Sequence, residues 1–218
     1  MRHPTLLERW VPPLQGDAWR VLPWVALATL ILFWFWSPLG WLGLAFMIWC
    51  GTLFRESVRA TPLDPLMVTG PLDGTVLEVG SALPPVELGL AGGELRLVSI
   101  KVGPWDSHVL KSPAEGKLVR VARPYPGDGE RVAIRIQSAS GEVGVMIGAQ
   151  GMGRRVRLAP AEGQALRLGE TVGVLLFAGI ADVYLPPGVE PVVIAGQRVV
   201  GGETILGEPS GSAVPLVS

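Results

Sequence analysis

Leu95-Arg96-Leu97-Val98-Ser99-Ile100-Lys101-Val102 decides the fold class. Val98, Ile100 and Val102 alternate with Ser99 and Lys101, the period-two pattern of a half-buried strand. Thr75–Val79 and Arg131–Ile136 carry the same signature, and Glu142–Ile147, Val172–Phe177, Val192–Ala195 and Arg198–Val200 extend it. Nothing after residue 60 sustains a helical period. The 29 glycines and 20 prolines of the 218-residue chain favour short strands and many turns. Residues 55–208 therefore read as a mostly β domain, an antiparallel sandwich or barrel-like fold entered through the Thr61–Pro65 linker. Residues 209–218 read as a disordered tail.

The N-terminal part has a different character. No charged residue occurs from Val21 to Phe54. Ser37-Pro38-Leu39-Gly40 is a turn signal inside that run. It leaves two apolar segments of about 16 and 14 residues, each short of the ~20 a spanning helix needs. Residues 21–54 are expected to form a helical hairpin in the membrane, spanning or re-entrant, with a buried soluble hairpin as the alternative. Residues 1–20 read as an interfacial lead-in carrying Trp10 and Trp19. Arg2, Arg9 and Arg20 precede the hairpin, and Arg55 and Arg59 follow it. The positive-inside tendency then sets both flanks and the main domain on the cytoplasmic face of an inner membrane.

Composition removes several function classes. A net charge of -1 offers nothing for nucleic acid. One cysteine, Cys50, excludes an intrachain disulfide and a cysteine-built zinc site, and no metal is expected. Two echoes suggest internal similarity. Ser112-Pro113-Ala114-Glu115-Gly116 follows Gly70-Pro71-Leu72-Asp73-Gly74, and Gly202-Glu203-Thr204 repeats Gly169-Glu170-Thr171. Both are turn chemistry first.

An ordered set of motifs carries a resemblance. Leu53-Phe54-Arg55-Glu56, Pro71-Leu72-Asp73-Gly74-Thr75-Val76, Asp106-Ser107-His108-Val109 with Ser112-Pro113-Ala114-Glu115-Gly116, Met146-Ile147-Gly148-Ala149, Gly153-Arg154-Arg155-Val156 and Asp182-Val183-Tyr184-Leu185-Pro186 follow one another along the chain. The chain resembles the phosphatidylserine decarboxylases, the short bacterial membrane-anchored type, from about residue 53 to 208. The resemblance implies a self-cleaving carboxy-lyase of phosphatidylethanolamine synthesis. In that family an Asp–His pair activates a serine, whose hydroxyl attacks the preceding carbonyl. Elimination then leaves an N-terminal pyruvoyl group that serves as the cofactor. Asp73 and His108 match the pair.

The serine position holds Gly179, between Ala178 and Ile180. Glycine has neither a hydroxyl to attack nor a β-leaving group to eliminate, so no pyruvoyl group is expected and no other cofactor is implied. No Ser or Cys lies between Gly141 and Pro209 to take over by a shift of register. Tyr125-Pro126-Gly127-Asp128-Gly129-Glu130-Arg131 is also shorter than the family's substrate segment, and Glu130 with Arg131 is what survives. Arg154, Arg155 and Arg157 offer guanidinium groups for a lipid phosphate, with a solvated strand edge as the plainer alternative. The expected partners are membrane phospholipid and, for a homologue without activity, an active paralogue or another lipid enzyme. Two alternatives stay open: an active decarboxylase working by another route, and a lipoyl-like membrane adaptor.

Overall fold

The structure is a computed structural model that describes residues 18–35, 37–53, 62, 64–90, 93–123, 131–149, 155–176 and 178–210. The chain divides into two compact units, Met1–Val58 and Arg59–Ser218.

The first unit is a helical hairpin, α1 (Ala18–Phe35) and α2 (Ser37–Leu53). Ser37–Gly40, expected to be the turn, is the first turn of α2 instead. Pro38 is accepted in the first turn of α2, where the N–H it lacks has no intrahelical partner to lose. Close packing comes from small residues. A Cβ on Gly40 would sit 2.3 Å from the Phe33 ring, and one on Gly43 would sit 3.1 Å from the Thr29 side chain. Phe33 also meets Trp41 edge-on, with centroids 5.9 Å apart and planes at 73°. The outer surface of the hairpin stays apolar, with Trp24, Leu30, Trp34, Leu42 and Ile48 all exposed. At 1.5 Å per residue α1 reaches about 27 Å. Among the described residues no helix is long and apolar enough to cross a membrane, so the spanning form of the expected hairpin finds no support there.

The second unit is mostly β, its antiparallel sheets curling into a half-barrel. In chain order the strands are β1 (Val68–Thr69), β2 (Gly74–Ala82), β3 (Leu95–Val102), β4 (Val109–Lys111), β5 (Gly116–Ala122), β6 (Arg131–Ser138) and β7 (Gly141–Ala149). There follow β8 (Arg155–Leu158), β9 (Ala165–Leu166), β10 (Thr171–Leu176), β11 (Gly179–Tyr184), β12 (Val189–Pro191), β13 (Arg198–Val199) and β14 (Ile205–Pro209). They form one large sheet in the order β13-β2-β3-β11-β7-β6-β5-β9, and two small ones, β1-β14-β12 and β4-β10-β8. β14 continues through Pro209, and residues 211–218 lie outside the described residues.

Val192–Ala195, expected to be a strand, is irregular instead. Its backbone bonds diverge: the Val192 N–H goes to the Leu206 carbonyl, while the neighbouring Gly196 N–H goes to the Val76 carbonyl. No single partner strand is left to build a ladder.

The three sheets read the same from both ends. β13-β2-β3-β11 mirrors β9-β5-β6-β7, and β1-β14-β12 mirrors β4-β10-β8. The agreement extends to single bonds. Val76 N donates to Gln197 O at 2.9 Å, and Leu118 N donates to Gln164 O at 2.9 Å. Gly196 N meets Val76 O at 2.8 Å where Gly163 N meets Leu118 O at 2.7 Å. Gly202 N meets Gly70 O at 2.8 Å where Gly169 N meets Ser112 O at 2.9 Å. Even the register shifts correspond, at Val76/Glu78 and at Leu118/Arg120. The domain is thus two copies of one unit about a pseudo-two-fold axis between β7 and β11. One copy, β4–β10, is continuous in the chain. It is inserted into the other, which is split into β1–β3 and β11–β14.

Strand alternation builds the core. Val98, Ile100 and Val102 of β3, Ile134 and Ile136 of β6, Val145 and Ile147 of β7, and Ala181 and Val183 of β11 all turn inward and are buried. Each large side chain contributes about 1.5–3 kcal/mol of burial. A one-residue slip of any of these strands would turn its whole set outward, so the register is firmly specified. On the opposite face Leu88, Leu95, Ala133, Met146 and Tyr184 form a second cluster.

Candidate functional site

Gly179 opens β11, paired with Val102 of β3 on one side and Ala149 of β7 on the other. β10, which ends at Leu176, delivers the chain to this point. The same end of the large sheet holds the start of β2, since Thr75 pairs with Lys101 and Lys101 with Ile180. Asp73 lies in the turn just ahead of that start. His108 immediately precedes β4, and its carbonyl accepts the Leu175 N–H at 2.8 Å. The topology therefore brings Asp73, His108 and Gly179 to one end of the fold, from the starts of three separate strands.

Their environments differ. The His108 side chain is buried. Asp73 is half-buried, and its Oδ1 accepts the Gly201 N–H at 2.8 Å. Asp73 therefore fastens the turn after β13 to the turn before β2. The Lys111 N–H binds the Pro71 carbonyl at 2.7 Å in the same knot.

Four further polar contacts lie in and around this end. Asp106, buried, accepts the Gly103 N–H at 2.7 Å through Oδ2 and meets Arg198 Nη2 at 2.5 Å through Oδ1. The loop that carries His108 is thereby tied to β13. Lys111, also buried, donates from Nζ to Thr171 Oγ1 at 2.8 Å. On the outer face of the sheet Ser99 Oγ donates to Asp182 Oδ1. Burial, with a smaller push from the Asp182 charge, raises the Tyr184 hydroxyl above its ordinary value. The spacing of Asp106 two residues before His108 was a usable signal; Arg198, far away in sequence, gave none.

The expected lipid-contacting residues are only partly placed. Glu130 and Arg154 lie outside the described residues, as does the short segment 124–130. Arg155 begins β8 opposite Leu176, so its backbone is next to the strand that leads to Gly179. The β6 start at Arg131 and the β7 end at Ala149, which bound the segments holding Glu130 and Arg154, also fall at this end of the sheet. An open cleft of about 370 Å³ lies at the other end of β11, around Arg96, Pro186 and Glu190. It is remote from Gly179. Its Arg96–Glu190 pair, 3.0 Å apart and half-exposed, is a surface contact of small energetic weight.

A model of the phosphatidylserine decarboxylases matches residues 46–207. The chain belongs to this family. It is 37% identical over 214 residues to the phosphatidylserine decarboxylase proenzyme of Beijerinckia indica subsp. indica, covering 93% of this chain and 92% of that one. No solved structure matches.

The phosphatidylserine decarboxylases act on a membrane phospholipid through a pyruvoyl group made from their own chain. The residues present here do not fit that group. Its carbons come from a serine with a Cβ, and an ideal Cβ on Gly179 would lie 2.6 Å from the Gly148 carbonyl oxygen and 3.0 Å from Leu175 Cδ2. Gly179 is itself buried within the sheet.

Proposed function

We propose that this phosphatidylserine decarboxylase homologue stays uncleaved, forms no pyruvoyl group, and acts in phospholipid metabolism as a non-catalytic phospholipid- or partner-binding protein. The carrying observation is Gly179. The family's first step needs a side-chain oxygen at this position, and glycine supplies none. The remaining polar groups are consistent with a structural use: the Asp73 carboxylate takes a backbone N–H, and Asp106 takes another together with Arg198. The proposed partners are an anionic or amino-phospholipid and, through it, an active paralogue or another lipid enzyme.

The proposed location is the cytoplasmic face of the inner membrane. Supporting this, the α1–α2 hairpin exposes apolar side chains all round, which in water is stable only when covered. Both ends of a hairpin return to one side, and both flanks carry arginine. With helices too short to cross, the hairpin is proposed to dip into one leaflet.

Intact mass is the test. A single species at 23.1 kDa from native membranes is the expected result. Two chains split between Ala178 and Gly179, the smaller one blocked at its N-terminus, would overturn the proposal and identify a working decarboxylase. Flotation with phosphatidylserine, phosphatidylethanolamine and phosphatidylcholine vesicles then reads headgroup preference. Equal binding to all three, with the hairpin accounting for all of it, would remove the headgroup-binding part and favour an adaptor.

A further inference from the structure

We propose that the cleavage point has been closed by the backbone of β7, so that glycine at 179 is now required by the sheet and restoring serine would not restore self-cleavage. This rests on the reading of the chain as uncleaved and goes one step past it. A missing hydroxyl alone is a defect that one substitution repairs. The geometry points to a second, independent barrier. Carbon and carbonyl oxygen in close contact stand about 3.3–3.6 Å apart. The Gly148 carbonyl is 2.6 Å from where a Cβ on Gly179 must be, and Ala149 Cα is 3.5 Å away on the same strand.

The two close neighbours are not equally able to give way. Leu175 Cδ2, at 3.0 Å, is the end of a flexible side chain and can rotate aside. Gly148 O belongs to a backbone held on both flanks, since Gly148 pairs with Ile180 of β11 and with Arg131 of β6. Moving that carbonyl means loosening two ladders at once. Gly179 is likewise paired on both sides, to Val102 and Ala149, so β11 cannot withdraw cheaply either. Nothing about the φ of Gly179 demands glycine; the close approach of β7 does.

The experiment compares full-length Gly179→Ser and Gly179→Ala with the unaltered chain and with Gly80→Ala, by intact mass and thermal unfolding. Gly80 lies in β2 of the same sheet, where an added Cβ would meet nothing closer than Glu78 Oε1 at 3.7 Å. It is the control for glycine replacement as such. Both Gly179 variants are expected to remain single chains and to lose about 5 °C or more in Tm, while Gly80→Ala stays within a degree or two of the parent. Failure of both Gly179 variants to fold, with Gly80→Ala folded, is the stronger form of the same result. Gly179→Ser combined with Leu175→Ala, which removes the one movable obstacle, is expected to stay uncleaved as well.

Cleavage of either serine variant, or a parental Tm for Gly179→Ala, would overturn the inference. Cleavage of the unaltered chain would instead overturn the function proposed above, so the two failures are told apart by which protein splits.

Discussion

Replacing Asp73 tests whether this carboxylate holds the fold in the present chain. Its Oδ1 accepts the N–H of Gly201, which is buried, across 2.8 Å. The bond joins turns 128 residues apart in sequence. Asp73→Ala removes this acceptor from a buried backbone N–H. A hydrogen bond to a charged group contributes about 1.5–3 kcal/mol, and half-burial of the carboxylate sets the expectation at the low end, about 1.5 kcal/mol. In a domain of this size that is a fall in Tm of about 3–6 °C. Asp73→Asn keeps an oxygen in place and loses only the charge assistance, so it should cost about half as much. Thermal unfolding of the full chain in one detergent measures both, and amide hydrogen exchange at Gly201 reports the bond itself. A parental Tm for Asp73→Ala with unchanged exchange at Gly201 would refute the structural role. A gain in stability would mean that the carboxylate is held against the fold's interest, as expected of a group kept for chemistry.

Two further expectations follow from single positions. The Tyr184 hydroxyl has a raised folded-state pKa, so its contribution is fully present below the unfolded value near 10 and is lost as pH rises through the folded one. Denaturant unfolding at pH 9 to 11 should show a fall that Tyr184→Phe flattens; equal slopes in the two proteins would exclude the assignment. Gly74 and Gly116 occupy equivalent places in the two copies, with an added Cβ 2.4 Å from Lys101 O in one and 2.0 Å from Gln137 O in the other. Alanine at either should cost about 2 kcal/mol or more, by similar amounts, and a large difference in their Tm values would argue that the copies are not energetically equivalent.

The strands most legible in the sequence are those with one face set in the main core. Leu95–Val102, Arg131–Ile136 and Glu142–Ile147 all sit in the middle of the large sheet, where alternation is enforced by the core. Two-residue strands such as β1 and β9 are too short for any period, and tertiary pairing alone makes them strands. Val192–Ala195 failed for the opposite reason: it has strand composition but no single partner. The Pro-x-x-Gly and Gly-Glu-Thr echoes were visible as turns. Their meaning as the corners of a duplicated unit needed the pairing, because one copy is interrupted by the other. At the site, family motifs located Asp73, His108 and Gly179, whereas the approach of Gly148 to Gly179 depends on inter-strand distance and has no trace in sequence.

The duplication also explains why a cut at this place is compatible with the fold. The link between residues 176 and 179 only carries the chain out of the inserted copy and back into the split one. β11 is held by β3 and β7, β13 by β2, and β14 by β1, all across inter-strand bonds that a break between Ala178 and Gly179 would leave in place. Ala181, Val183, Leu185, Val199 and Leu206 of the C-terminal piece are buried in the shared core. Residues 1–178 and 179–218 produced as separate chains in one cell should therefore associate and co-purify, with the near-ultraviolet circular dichroism of the intact protein. Separate migration of the two pieces would show that the connection is structurally needed, and intactness would then follow from folding alone. Co-purification would place the cause at Gly179, where the hydroxyl is absent and β7 has taken up the space.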